Sequence, residues 1–371
     1  MPTSHSTDLT VTPERPVSEG WCNAGRSRGV AVLSRPSEAK SWYGKTMTVS
    51  LNDLQLAAAR IESAAIRTPL VRLPLEGEVY AKPESLQRTG SFKFRGAYNF
   101  LAALPPEVRA RGVVAHSSGN HAQAVARAAR IFGVPATLVI PEGAPEVKVR
   151  KTTEQGGEIL RCKNTRRDRA RVAAEVVAAT GRTLIPPFDH PLIVAGQGTA
   201  GLEIAEDLPG VANAIVCVGG GGLIAGVATA LALTRPGVRV IGVEPELAAD
   251  AAESFERGEL VEWPAEAVTR TLADGVRTQR VGEFNFEIIR GFVDRFVTVS
   301  EATIREATAW YALEAGLAVE PTGALTLAGY WSLRSADGGS PALKPGPTVL
   351  LISGGNIDPT LLAEIVHPPP E

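Results

Sequence analysis

Cysteine is scarce in this chain of 371 residues, which holds three: Cys22, Cys162 and Cys217. An odd number at wide spacing gives no disulfide framework and no zinc-binding pattern, and it fits a reducing, cytoplasmic setting. No apolar run approaches the roughly 20 residues that span a bilayer. A surplus of either charge is missing too, since the formal net charge is −2. That balance argues against a nucleic-acid partner or an anionic membrane surface. There is no internal repeat, and no low-complexity tract beyond the amino-terminal segment.

That segment, residues 1–46, has no helical or strand period and is rich in Ser, Thr, Pro and Gly. It lacks the apolar block of a secretory signal, and Asp8, Glu14, Glu19 and Glu38 argue against a transit peptide. It reads as a disordered extension, with Met47 as an alternative start.

From about Leu51 the pattern is strand, loop, helix, repeated. "NDLQLAAARIESAA" is a capped amphipathic helix, and "GVVAHSSGNHAQAVARAARIFGVPATLVI" is strand, polar turn, Ala-rich helix, Gly stop, strand. Apolar strands alternating with helices predict an α/β fold, with mostly parallel sheets covered by helices on both faces. The length points to two domains. The expected division is a large domain of residues 47–111 and 190–371 and a small, mobile domain of residues 112–189. In such sheets ligands bind at the carboxyl ends of strands, so "SSGNH", "GGGG" and "SGGN" are expected to face one crevice.

The tetraglycine Gly219, Gly220, Gly221 and Gly222 follows the strand "AIVCV" and opens a helix. Bare backbone and a helix N-terminus suit a phosphate. The loop does not say whose phosphate. Gly220, Gly222 and Ala225 also satisfy the dinucleotide fingerprint G-x-G-x-x-A, with Glu244 placed as a ribose-binding acid, so an NAD(P)-binding enzyme is a rival reading.

Seven stretches in one order weigh against that rival: "SLQRTGSFKFRGA", "HSSGNHAQAVA", "VAGQGTAGLEI", "VGGGGLIAG", "TLADGV", "VEPTGAL" and "LLISGGN". With them the chain resembles the serine/threonine dehydratases and serine racemases, pyridoxal-phosphate enzymes of the tryptophan-synthase-β fold type. The resemblance runs from roughly Leu51 to Val366. It implies that Lys93, beside Phe92, forms the Schiff base with pyridoxal phosphate and then acts as general base. Desolvation by the neighbouring aromatics would lower its pKa, as a lysine nucleophile needs. The resemblance further implies that Asn120 bonds the cofactor's ring oxygen. Gly219 to Gly222 with Leu223 would hold its phosphate, and Ser353 its pyridine nitrogen. Ser117, Ser118, Gly119, Asn120 and His121 would receive the substrate carboxylate.

Ser118 has two readings. A hydroxyl on the cofactor face opposite the lysine could return a proton to Cα and permit racemisation. A second loop serine without a proton role reads equally well. Glu244, Ala248 and Asp250 match the family's divalent cation site, two carboxylates and a carbonyl that suit Mg²⁺ or Ca²⁺. The resemblance sets Arg169 against a family arginine near the substrate mouth, but within the basic run Arg166, Arg167, Arg169 and Arg171 it reads rather as part of a solvated helix face. The expected reaction is β-elimination on a β-hydroxy amino acid such as L-threonine or L-serine, giving an α-keto acid and ammonia. Amino acid racemisation at the same site is the alternative. A homodimer is usual in the family. The chain stops soon after "SGGN", so the regulatory domain of feedback-inhibited threonine dehydratases is not expected here.

Overall fold

The computed structural model describes residues 32–34, 49–117, 119–144, 146–163, 165–335 and 343–367. In chain order the strands are β1 (Val32–Ser34), β2 (Val71–Arg72), β3 (Val79–Pro83), β4 (Val113–His116), β5 (Ala136–Pro141), β6 (Glu158–Cys162), β7 (Thr183–Leu184), β8 (Asn213–Cys217), β9 (Arg239–Pro245), β10 (Arg295–Val299) and β11 (Thr348–Ile352). They form two sheets, ordered β1-β10-β9-β8-β11-β3-β2 and β6-β5-β4-β7. Every pairing is parallel except at the two edges of the larger sheet, where β1 and β2 run antiparallel. This is the α/β class with mostly parallel sheets expected from the strand and helix alternation.

One part of the amino-terminal reading needs correction. Residues 32–34, taken as part of a structureless extension, pair with β10, with Val32 opposite Val297 and Ser34 opposite Arg295. The physical reason is that β10 would otherwise leave a row of backbone donors and acceptors open at the sheet edge. The rest of residues 1–46, with Cys22 and Met47, lies outside the described residues.

Burial on both faces explains the unbroken apolar strands. In the smaller sheet Val113 and Ala115 of β4 pack in one cluster with Ala122 and Val125 of the helix Asn120–Phe132. Val114, pointing the other way, packs with Val172 and Ala173 of the helix Arg166–Thr180. Alternate side chains of a strand face opposite sides, so helices cover both. Among the described residues no helix is long and apolar enough to cross a membrane.

The helix Lys93–Ala103 begins at the site lysine, and two devices fix its position. The first is a glycine crossing with the helix Pro191–Asp207, where a Cβ added at Gly196 would lie 2.6 Å from the Gly96 Cα. The second is a buried ion cluster. Arg95 Nε donates to Glu84 Oε2 at 2.7 Å, and Arg95 Nη1 donates to Glu203 Oε1 at 2.6 Å. Lys82 Nζ donates to Glu203 Oε2 at 2.6 Å and to the Thr68 carbonyl at 2.6 Å. Two cations thus face two carboxylates. Burial pushes the Glu84 carboxyl up, but Arg95 beside it prevails and holds it below the ordinary value.

Breaking one member of such a cluster leaves an uncompensated buried charge. Glu84→Gln is expected to cost roughly 3 kcal/mol. Arg67→Ala, which removes the exposed pairs with Glu206 and Asp207, is expected to cost less than about 1 kcal/mol. Denaturant unfolding of both variants checks the contrast.

Candidate active site

Strand ends from both sheets and the starts of the helices Lys93–Ala103 and Asn120–Phe132 converge on a cavity of about 500 Å³, within the size range of small-molecule sites. Of the residues named from sequence, Phe92, Lys93, Ser117, Gly119, Asn120, His121, Gly220 and Ser353 line it. Ser118 lies outside the described residues.

Lys93 is delivered by a turn that is pinned to the end of β11. Ser91 bridges Gly354, and the Phe92 N–H donates to the Ser353 carbonyl at 3.0 Å. Lys93 Nζ donates to the Pro187 carbonyl at 2.8 Å and sits 5.0 Å from the centre of the Phe92 ring. Burial lowers its amine to about 8, with Cys217 acting in the opposite direction. His121 is pushed down to about 3 by burial and by the Lys93 charge, so its imidazole is neutral. The His121 Nε2 lies 3.1 Å from the Ile185 carbonyl, an acceptor, which places the imidazole proton on Nε2.

The glycine loop admits no side chain. Gly221 has φ +85°, and a Cβ at Gly220 would overlap the Phe188 ring. The Gly220 carbonyl is turned away into protein, accepting from Asn285 Nδ2 at 2.6 Å and from the Gly282 N–H at 3.2 Å. Gly222 opens the helix Gly222–Thr234, whose first N–H groups have no partner within the helix. Leu223 is buried in the larger core rather than lining the cavity. The Ser353 hydroxyl, at the end of β11, is buried and makes no hydrogen bond of ordinary geometry. It lies near the Cys217 thiol, which burial pushes up to about 11 and the hydroxyl draws slightly back.

Sequence reading left two cavity residues outside the site. Arg169, taken as a solvated helix residue, lines the cavity, while Arg171 carries the exposed pairs with Asp168 and Glu175. Helical spacing alone could not separate them. Glu320, within "VEPTGAL", received no role, yet it is buried and its Oε1 accepts from Asn120 Nδ2 at 2.7 Å. A carboxylate inside one of the seven stretches that carry the resemblance was the available signal. Across the cavity Lys148 pairs with Asp274 of "TLADGV".

Glu244 and Asp250 sit apart from the lysine, at the end of β9 and the start of the helix Asp250–Arg257. Glu244 accepts from the backbone of Ala252 at 2.7 Å and of Ala251 at 3.3 Å. Its carboxylate is closed onto that helix, which does not suit the ribose role of the dinucleotide reading. Both acids are fully buried, and burial raises both, Asp250 to about 7. The Asp250 side-chain oxygens make no hydrogen bond of ordinary geometry, although the N–H groups of Asp250 and Val281 favour its charge. Ala248 is buried beside them. Among the described residues no group of three or more His, Cys, Asp or Glu could hold a metal, so a cation here would rest on two carboxylates and a carbonyl.

Comparison with known proteins follows the same lines. The model for the family described as pyridoxal-phosphate dependent enzyme matches residues 61–354. An L-threonine ammonia-lyase of Geobacter sulfurreducens is 42% identical over 319 residues, covering 85% of this chain and 77% of that protein. A serine racemase of Schizosaccharomyces pombe is 39% identical over 312 residues, covering 83% and 94%. The solved structure of maize serine racemase superposes with a TM-score of 0.81 at 35% identity, covering 86% of this chain and 97% of that one.

A depressed lysine amine is chemically testable without any ligand. Modification of Lys93 by an amine-directed reagent is expected to rise through about pH 8, below the range of exposed lysines. Peptide mass mapping of the apo protein across pH reads it out. A Lys93 that reacts only with the bulk lysines contradicts the burial argument.

Proposed function

The chain belongs to the pyridoxal-phosphate dependent enzymes, and we propose that it eliminates the β-hydroxyl of an amino acid such as L-threonine or L-serine, releasing an α-keto acid and ammonia. The observation that carries this reading is a lysine amine held near 8 in the same cavity as a glycine-lined helix start and an unbonded buried serine hydroxyl. These features fit the cofactor. Lys93 would anchor it, the N–H groups of Gly219 to Gly222 would hold its phosphate, Asn120 would face its ring oxygen and Ser353 its pyridine nitrogen. When bound, pyridoxal phosphate withdraws electrons from the substrate Cα and makes that proton removable.

The remaining work belongs to the chain. The backbone of the 117–121 loop, at a helix N-terminus, receives the substrate carboxylate. His121 is neutral and adds no competing charge. Lys93 Nζ, uncharged for part of the time at neutral pH, takes the Cα proton. A serine hydroxyl facing the pyridine nitrogen does not enforce its protonation, and so favours loss of a leaving group over long-lived carbanion chemistry. The smaller sheet unit, residues 112–189, is proposed to close over the substrate and exclude water.

The likeness to a serine racemase favours a second activity at the same site, with Ser118 returning a proton to the opposite face of Cα. The pair Glu244 and Asp250 is proposed to bind Mg²⁺ or Ca²⁺ with the Ala248 carbonyl, because two buried carboxylates, one with unbonded oxygens, call for a cation.

Keto-acid release and product chirality, followed together on L-threonine and L-serine, test the reading. Lys93→Ala is expected to lose elimination by several orders of magnitude, and a variant that keeps it refutes the assignment. Ser118→Ala is expected to lose D-serine formation and keep elimination; unchanged D-serine formation removes the racemase role. Mg²⁺ is expected to raise the melting temperature of the wild type and not of Asp250→Ala. An equal rise in both contradicts the cation site.

A further inference from the structure

We infer that Glu320 is the positioning residue for Asn120, and that its negative charge sets how firmly the cavity holds the ring oxygen of the cofactor. The inference rests on the functional reading above and deepens it.

Both ends of the Asn120 amide are committed. Nδ2 donates to Glu320 Oε1 at 2.7 Å, and Oδ1 accepts from Asn356 Nδ2 at 2.9 Å. Together these bonds fix which way the amide faces. The amino group has two hydrogens, one taken by Glu320 and one left for a ligand. Asn356 Nδ2 also donates to the Thr89 carbonyl at 2.7 Å. Thr89 holds φ +63°, an uncommon conformation for a β-branched residue, in the turn that leads to Lys93. Glu320 touches the opposite wall as well. A Cβ added at Gly354, next to Ser353, would lie 2.5 Å from Glu320 Oε1. Glu320 therefore bonds the residue that would face the ring oxygen and, through its backbone N–H to the Gly354 carbonyl at 3.1 Å, lies against the wall that carries Ser353.

Its surroundings let that charge vary near neutrality. Glu320 is 5% exposed. Burial and the charge of Asp274 push its carboxyl up to about 7, against Asn120, Lys148 and the Asn356 N–H, which pull it down. Cys217 faces the same carboxylate, and Lys151 reaches Asn356 Oδ1 at 3.5 Å. Lys93 itself is faced by Cys217 and His121. Below about 7 the carboxyl is neutral and its bond from Asn120 weakens; above it the bond is charge-assisted.

Titration of the apo protein with pyridoxal phosphate, followed by absorbance at a series of pH values, tests this. Wild-type affinity is expected to climb as pH rises through about 7. Glu320→Gln keeps the shape and removes the charge. It is expected to bind roughly tenfold more weakly at alkaline pH and to lack that step. Lys148→Met leaves Asp274 uncompensated and is expected to move the step to higher pH. If the wild type takes up the cofactor and Glu320→Gln reproduces both its affinity and its pH profile, Glu320 is merely structural and the inference is overturned. A wild type that takes up no pyridoxal phosphate overturns the functional reading, and this inference with it.

Discussion

The structure turns on keeping one amine out of water. A lysine at its ordinary pKa is almost wholly protonated at neutral pH and can neither attack a carbonyl nor accept a proton. Burial removes that obstacle for Lys93, but desolvating a cation is unfavourable, and the surrounding fold has to hold it there. The helix that starts at Lys93 is held by the Gly96–Gly196 crossing and by Arg95 between Glu84 and Glu203. The charge that anchors the helix is thus placed two residues along, where every partner is paired. The amine itself meets a backbone carbonyl, a neutral imidazole and a thiol.

Parallel sheets make the rest of the site a matter of geometry. All strands that contribute to the cavity end on the same side, so β4, β8 and β11 bring the asparagine loop, the glycines and Ser353 to one place. Loops from the two sheets also meet through side chains. Lys148 pairs with Asp274, and Asn120 is tied to Glu320 and Asn356. These contacts cross between the sheets, so the cavity's shape depends on how the two units sit together. Glu244 and Asp250 lie outside that cavity, yet Val281 connects them to it, because Val281 favours the Asp250 charge and also lines the cavity.

Period and punctuation made much of this legible. The α/β class followed from apolar strands alternating with Ala-rich helices, and the glycine loop from four residues that nothing but a close backbone approach requires. Lys93 was harder, since a lysine between two phenylalanines does not by itself mark a buried amine, and its role came only with the neighbouring motifs. Arg169 and Arg171 share one basic helix, and which of them meets the cavity depends on how that helix packs. Glu320 gave no sign of its partner, which lies 200 positions away in the chain. The strand at residues 32–34 was hidden in a segment whose composition is polar, and its order depends on the open edge of β10. Local chemistry was therefore readable from the sequence, and long-range burial was not.

The central claim is a covalent bond between Lys93 and pyridoxal phosphate, and hydride reduction of the holoprotein followed by peptide mass analysis tests it most directly. The account predicts a single reduced adduct on the peptide that carries Lys93. An unmodified chain, or an adduct carried by another lysine, would contradict it.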